Sequence, residues 1–204
     1  HAPRDALRTF PASGREETSI TLRTECAGLA CSRVETCDVI TRSCNLFCAH
    51  CRASAGHARY RDELSTEECL RLIDGILEVG KPIIILTGGE PLMRQDVLPM
   101  ARYAVSQGLR VVMGTNGTLI TAEMAAKLKE VPISRLGISL DFPIAALQDE
   151  FRGQTGAFDA VMAGITQARR AGIEIQINST ITRLNVHHLE ELLALTLNVG
   201  AVAF

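Results

Sequence analysis

The sequence predicts an α/β fold: a partial (β/α)6 TIM-like barrel of parallel strands, truncated at the sixth strand. Three observations carry this. Short apolar, β-branched runs alternate with longer amphipathic stretches along most of the 204 residues. The short runs are apolar nearly throughout, the pattern of parallel strands covered on both faces. A complete eight-stranded barrel needs about 250 residues, more than this chain has.

Six runs read as strands: Asp38–Thr41, Ile83–Thr87, Arg110–Gly114, Arg135–Leu140, Glu174–Thr180 and Gly200–Phe204. Five helical patterns lie between them. The first, Thr66–Val79, is opened by Ser65 with Glu68 three residues on, a capping-box signature. The others run over Gln95–Gln107, Ala122–Lys129, Ala157–Ala171 and Val186–Leu197. Gly80, Gly108, Gly172 and Gly200 stand where helix C-caps favour the left-handed conformation. Right-handed crossovers then curl the repeated βα units into an open barrel. The last strand has no helix after it, leaving Val202 and Phe204 without an outer cover. The expectation is the N-terminal part of a longer protein whose remaining portion covers that edge. Residues 1–36 have no clear periodicity and read as a leader; residues 37–204 read as the core domain.

Lys and Arg number 21 against 23 Asp and Glu, a net charge of −2. That balance offers neither a basic footprint for nucleic acid nor an acidic tail. The longest strongly apolar run, Pro82–Leu86, is far short of the ~20 residues that span a bilayer. No signal-peptide core opens the chain, so the expectation is a cytoplasmic protein. Seven cysteines cannot all pair within one chain. In a reducing compartment, clustered cysteines point to metal binding or redox work.

The cysteines cluster directly after the first strand as Cys44-x3-Cys48-x2-Cys51. Three thiolates on one short loop can each ligate one iron of a [4Fe–4S] cubane, leaving a fourth iron open to a small chelating ligand. Zinc is the competing reading. A structural zinc site asks for four protein ligands, and His50, between two of the cysteines, would strain the loop to supply one. Buried cysteines brought together by chance are the third. Cys26, Cys31 and Cys37 fit no standard zinc spacing, and read as unpaired thiols of the leader, with part of a second cluster or a regulatory metal site as the alternatives. Cys69, inside the first helical pattern, reads as a small core residue.

At the end of the second strand stands Thr87-Gly-Gly-Glu-Pro91. Gly88 and Gly89 permit close backbone approach, Glu90 offers a carboxylate and Pro91 holds the turn. The same residues also make an ordinary strand-to-helix turn. Thr115 and Asn116 end the third strand, and Ser139 and Asp141 the fourth. These residue types serve equally in turns and caps. His187 and His188 read as a solvated or capping pair. Arg94 reads as pointing to the barrel mouth or to solvent.

The cysteine triplet and the Gly-Gly-Glu-Pro segment together resemble the motifs of the radical S-adenosylmethionine (SAM) enzymes. The resemblance covers about residues 37–204, with both motifs in order at strand C-termini. It implies a [4Fe–4S] cluster on Cys44, Cys48 and Cys51. It places the methionine end of SAM against Gly88, Gly89, Glu90 and Pro91, with Thr115, Asn116, Ser139 and Asp141 at the cofactor. Arg152 is implied as a partner of the SAM carboxylate or of a substrate acid, and Asn178 as a ribose or carboxylate contact. His50 stands where many members carry an aromatic residue, its backbone positioned to meet the adenine. The implied reaction is one-electron reduction of the sulfonium by the cluster, giving methionine and a 5′-deoxyadenosyl radical that abstracts hydrogen. A flavodoxin- or ferredoxin-type electron donor is the implied partner.

Within that superfamily, residues 40–54, Asp141–Pro143 and Asp149–Gly153 resemble the haem-biosynthesis branch. That branch includes the alternative haem synthases, which oxidatively decarboxylate porphyrin propionates, and the haem d1 proteins. The implied substrate is a porphyrin or haem precursor, and the implied reaction on it is oxidative decarboxylation or side-chain modification. Peptide-maturing enzymes and the molybdenum-cofactor cyclase share most of these motifs and remain the alternatives. A non-catalytic iron–sulfur or zinc-binding module is an alternative of another class, though it has no use for Gly88–Pro91.

Overall fold

The computed structural model describes residues 21–23, 35–58 and 60–204, with backbone only for residues 21–23 and 35–39. The strands are β1 (Thr21–Arg23), β2 (Glu35–Thr41), β3 (Ile83–Gly88), β4 (Arg110–Thr115), β5 (Arg135–Ser139) and β6 (Ile175–Asn178). The helices are α1 (Thr66–Val79), α2 (Val97–Ser106), α3 (Ala122–Glu130), α4 (Ala145–Arg152), α5 (Ala157–Arg170) and α6 (Leu189–Asn198). Single 3₁₀ turns at Pro91–Met93 and Val186–His188 lead towards α2 and α6.

The strands form one sheet in sequence order, β1 to β6. Strands β2 to β6 are parallel, each paired with the next, and β1 lies antiparallel on the outer edge of β2. This is the repeated βα crossover that the sequence pattern demands, and it places every parallel strand's C-terminus on one rim.

The strand set differs from expectation at both ends. Strand β1 falls within the stretch read as leader. The segment read as a sixth parallel strand, Gly200–Phe204, makes a single parallel bridge, Ala203 to Gln176. Two backbone bonds hold it: Ile177 N–H to Ala203 at 3.0 Å and Val202 N–H to Ile175 at 2.9 Å. Cys26 and Cys31 lie outside the described residues, and for Cys37 only the backbone is described.

The core lies between the sheet and the helices. Ile84, Leu86, Val111, Met113, Leu136 and Ile138 send alternate side chains into it, against α-helical residues including Ile73, Met100, Leu128 and Ile165. On the opposite face Ile83, Ile85 and Val112 are only half-buried. Burial on both faces, expected from the unbroken apolar runs, is thus complete on the helix side only. Cys69 is a buried member of this core, as its place in α1 suggests.

Ser65 caps α1 through a complete capping box with Glu68. Gly108, Gly172 and Gly200 take the left-handed conformation, whereas Gly80 is extended with φ 161°. Helix α4 escaped the sequence reading. It has eight residues, and Ile144 at its N-cap makes no side-chain cap bond, so no start signal marks it.

Candidate functional site

The C-terminal rim of β2 to β6 gathers nearly every residue singled out from the sequence. The cysteine loop leaves β2 at Thr41 and is pinned at once to the Gly-Gly-Glu turn. Gly89 N–H donates to Thr41 and Glu90 N–H to Ser43, both at 2.8 Å. A Cβ on Gly88 would sit 2.2 Å from the Thr41 carbonyl oxygen, and one on Gly89 would sit 2.4 Å from that of Ser43. The two glycines therefore let one strand end approach another, a need for protein packing that spacing alone did not suggest. The loop then folds back on itself through Cys44 N–H to Gly56 at 2.8 Å and Gly56 N–H to Arg42 at 3.2 Å.

Each of the three sulfurs accepts at least one N–H, and Cys44 Sγ also accepts from the Leu46 backbone. Cys44 Sγ accepts from Asn116 Nδ2 at 3.9 Å, Cys48 Sγ from Arg152 Nη1 at 3.6 Å, and Cys51 Sγ from the Ala55 backbone at 3.3 Å. Cys44 is buried, and burial raises its thiol pKa above the ordinary value. Among the described residues, no three His, Cys, Asp or Glu side chains are gathered so as to hold one metal ion. A cubane asks for less, since each thiolate meets its own iron.

Glu90 is fully buried, and its carboxylate points into the protein. It accepts from Leu92 N–H at 3.0 Å, Thr115 Oγ1 at 2.8 Å and Asn116 N–H at 2.7 Å. Burial raises its pKa to about 7 despite these donors. Asn116 is the hub beside it. Its Nδ2 also donates to Asn45 at 2.9 Å, and its Oδ1 accepts from Thr118 N–H at 2.9 Å. Pro91 is buried at the start of the 3₁₀ turn, and Ser139 is half-buried at the end of β5.

Asp141 and Arg152 are brought together rather than held apart for a ligand. Their side chains form a buried ion pair, Arg152 Nη2 to Asp141 Oδ2. The second oxygen of Asp141 accepts Thr180 N–H at 2.8 Å. The ring of His50 stacks on Phe151 with centroids 4.2 Å apart. Burial, and then the Arg152 charge, lower its pKa. Two buried nitrogens here, His50 Nδ1 and Arg152 Nε, have no hydrogen-bond partner. Asn178 is exposed, and its Oδ1 accepts from Gln176 at 3.0 Å. Its side chain fills the space over Gly137, where a Cβ would lie 2.6 Å from Nδ2.

Arg94 points neither to the mouth nor to solvent. It is buried and donates to the Ile40 carbonyl at 2.5 Å, the Leu64 carbonyl at 2.7 Å and Asp96 at 2.7 Å. It clamps the far end of the cysteine loop to β2. His188 makes no cap bond and pairs with Glu191 at 3.0 Å. The sequence reading missed Gln148 and Asn185, both buried. Gln148 accepts the N–H groups of Asp141 and Phe142, and Asn185 donates to the Asp141 carbonyl at 3.1 Å. A lone Gln in an unmarked helix and an Asn before a 3₁₀ turn carry no signal of such roles.

Three comparisons bear on this arrangement. The model of the Radical SAM superfamily matches residues 39–196. The AdoMet-dependent heme synthase of Nitratidesulfovibrio vulgaris is 52% identical over 165 residues, which are 81% of this chain and 45% of that protein. The Fe-coproporphyrin III synthase of Methanosarcina barkeri is 47% identical over 150 residues, 74% of this chain and 37% of that protein. The chain thus spans less than half the length of these curated relatives. The crystal structure of Streptococcus suis SuiB bound to S-adenosylmethionine superposes with a TM-score of 0.68 at 18% identity, over 79% of this chain and 37% of that one. That likeness is one of fold. No helix among the described residues is long and apolar enough to cross a membrane.

Proposed function

The chain belongs to the Radical SAM superfamily, and on that premise we propose that it is the core of an enzyme that cleaves SAM reductively and turns the resulting radical on a porphyrin side chain. The observation that carries the porphyrin class is the 52% identity to a haem synthase over 165 residues. The reaction proposed is oxidative decarboxylation of a porphyrin propionate. An external one-electron carrier supplies the electron for SAM cleavage; the side-chain radical then loses carbon dioxide and passes one electron to a one-electron acceptor, leaving a vinyl group, and the protein functions in the cytoplasm.

The donor set fits the implied groups. Three cysteines stand on one loop, and each sulfur already accepts an N–H, a bond that favours thiolate charge and at Cys44 opposes the burial that raises its pKa. The orphaned nitrogens of His50 and Arg152 beside that loop suit a polar, anionic ligand. When bound, the cluster and SAM supply a single electron, C–S bond cleavage and a hydrogen-abstracting radical.

The chain's own residues do the holding. Cys44, Cys48 and Cys51 are assigned as the cluster ligands. Gly88 to Pro91 form the turn assigned to the methionine end, with backbone carbonyls as acceptors for its ammonium. The internal bonds of Glu90 make it the brace of that turn. Thr115 and Asn116 lock the brace, and Ser139 stands half-buried on the same rim. Asp141, Arg152 and Asn178 complete the assigned set.

The test is anaerobic reconstitution with iron and sulfide, then dithionite and SAM. The expected product is 5′-deoxyadenosine, absent from a Cys51→Ala variant. Iron coproporphyrin as probe is expected to raise product formation and to lose carboxylate. A wild-type protein with an assembled cluster and no 5′-deoxyadenosine overturns the SAM reading. SAM cleavage that ignores the porphyrin overturns the substrate class alone.

A further inference from the structure

The C-terminal end of α4 does more than close a helix. Two of its carbonyls receive the backbone N–H groups on either side of Cys48: Phe47 donates to Arg152 at 3.1 Å and Ala49 to Phe151 at 3.0 Å. The chain then turns at Gly153, which is left-handed and packed so closely that a Cβ would lie 2.4 Å from the Phe47 carbonyl oxygen. The Arg152 side chain reaches back to the sulfur of the same cysteine at 3.6 Å. One helix end thus holds Cys48 by its flanking backbone and by its sulfur.

The guanidinium is not free to wander. Arg152 is 7% exposed and Asp141 0%, and the two are ion-paired. Asp141 is itself fixed by Thr180 N–H at 2.8 Å, and the carbonyl of Asp141 by Asn185 at 3.1 Å. A guanidinium is planar and permanently charged, so anchoring one nitrogen on a carboxylate aims the other.

We propose that Asp141 and Arg152 form a positioning pair that points a charged N–H at the Cys48 sulfur and thereby makes the cluster easier to reduce. The inference rests on the cluster assignment above. Adding an electron to the cluster adds negative charge beside that sulfur. An N–H···S bond from a cation stabilises the reduced state more than the oxidised one, and hydrogen bonds to sulfur are among the levers that set such potentials. The electron comes from the external carrier; Arg152 transfers nothing. Cys44 and Cys51 accept only neutral donors, so the effect belongs to the Cys48 corner. The pairing also gives Arg152 a role distinct from binding a ligand acid.

The experiment is a potentiometric titration of the reconstituted protein, followed by the electron-spin signal of the reduced cluster, with iron content measured first. Arg152→Gln is expected to lower the reduction equilibrium constant about tenfold, equivalent to ~59 mV for one electron. Arg152→Lys, which keeps the charge and loses the fork, is expected to fall between. Wild-type iron content with an unchanged potential in Arg152→Gln overturns the proposal. A wild type that binds no cluster overturns the cluster reading instead. If Arg152→Gln does not fold, the wild type labelled with a heavy nitrogen isotope in arginine is expected to show coupling between reduced cluster and guanidinium. The absence of that coupling overturns the proposal without any substitution.

Discussion

The carboxylate of Glu90 receives the backbone N–H of Asn116 at 2.7 Å, which ties the end of β3 to the end of β4 inside the protein. A residue whose type and position suggest a ligand contact is thereby a brace between strands. Its charge has a cost. The fold holds the Glu90 pKa at about 7, against an ordinary 4.5, because burial disfavours the charged form. A raised folded value means stability fully present below pH 4.5 and lost as pH rises through 7. Thermal unfolding followed over that window is expected to show the decline, and Glu90→Gln is expected to flatten it. An identical slope in both proteins would falsify the assignment.

Gly89→Ala is expected to lower stability by about 3 kcal/mol, because the new methyl meets backbone that has no room to retreat. Gly75→Ala makes the contrast. Gly75 is an exposed residue of α1 with nothing within 4 Å of where a methyl would stand, and alanine there is expected to stabilise by about 1 kcal/mol. Chemical denaturation of both variants measures the difference, and equal effects would sink the close-approach argument.

Arg94→Ala is expected to cost about 3 kcal/mol, since it leaves Asp96 and two carbonyls short of a buried donor. The pairing also has an acid signature. Hydrogen bonding from Arg94 holds Asp96 down to about 2, against an ordinary 3.8. Stability from this pair is present above 3.8 and lost as pH falls through 2. Acid unfolding of Arg94→Ala is expected to lack that component.

Asn116→Asp replaces the amide donor between Cys44 and Asn45 with an acceptor, and sets a carboxylate where a sulfur now accepts. Reconstituted Asn116→Asp is expected to hold less iron than the wild type and to lose it faster to a chelator. Iron retention equal to wild type would remove Asn116 from the support of the cysteine loop.

Much of this was written in the order of residues. The α/β class follows from the alternation of apolar runs with amphipathic stretches, because each run must pair and each amphipathic face must cover it. The start of α1 at Ser65 follows from one local exchange of hydrogen bonds with Glu68. The meeting of Cys44 with the Gly-Gly-Glu turn follows from topology, since parallel strands deliver their C-termini to one rim. Periodicity and local hydrogen bonding act over a few residues, so sequence alone displays them.

Tertiary structure decided the rest, because direction and partnership are set by what packs nearby. Gly88 and Gly89 are needed by Thr41 and Ser43, residues more than forty positions away. Arg94 turns inward because the carbonyls of Ile40 and Leu64 converge on it. Helix α4 forms without a cap signal and is held by the cysteine loop that donates to its end. Asp141 and Arg152 become partners only when β5 and α4 are folded together. The residue types were legible one by one; which of them neutralise, brace or aim another depends on distances that no spacing encodes.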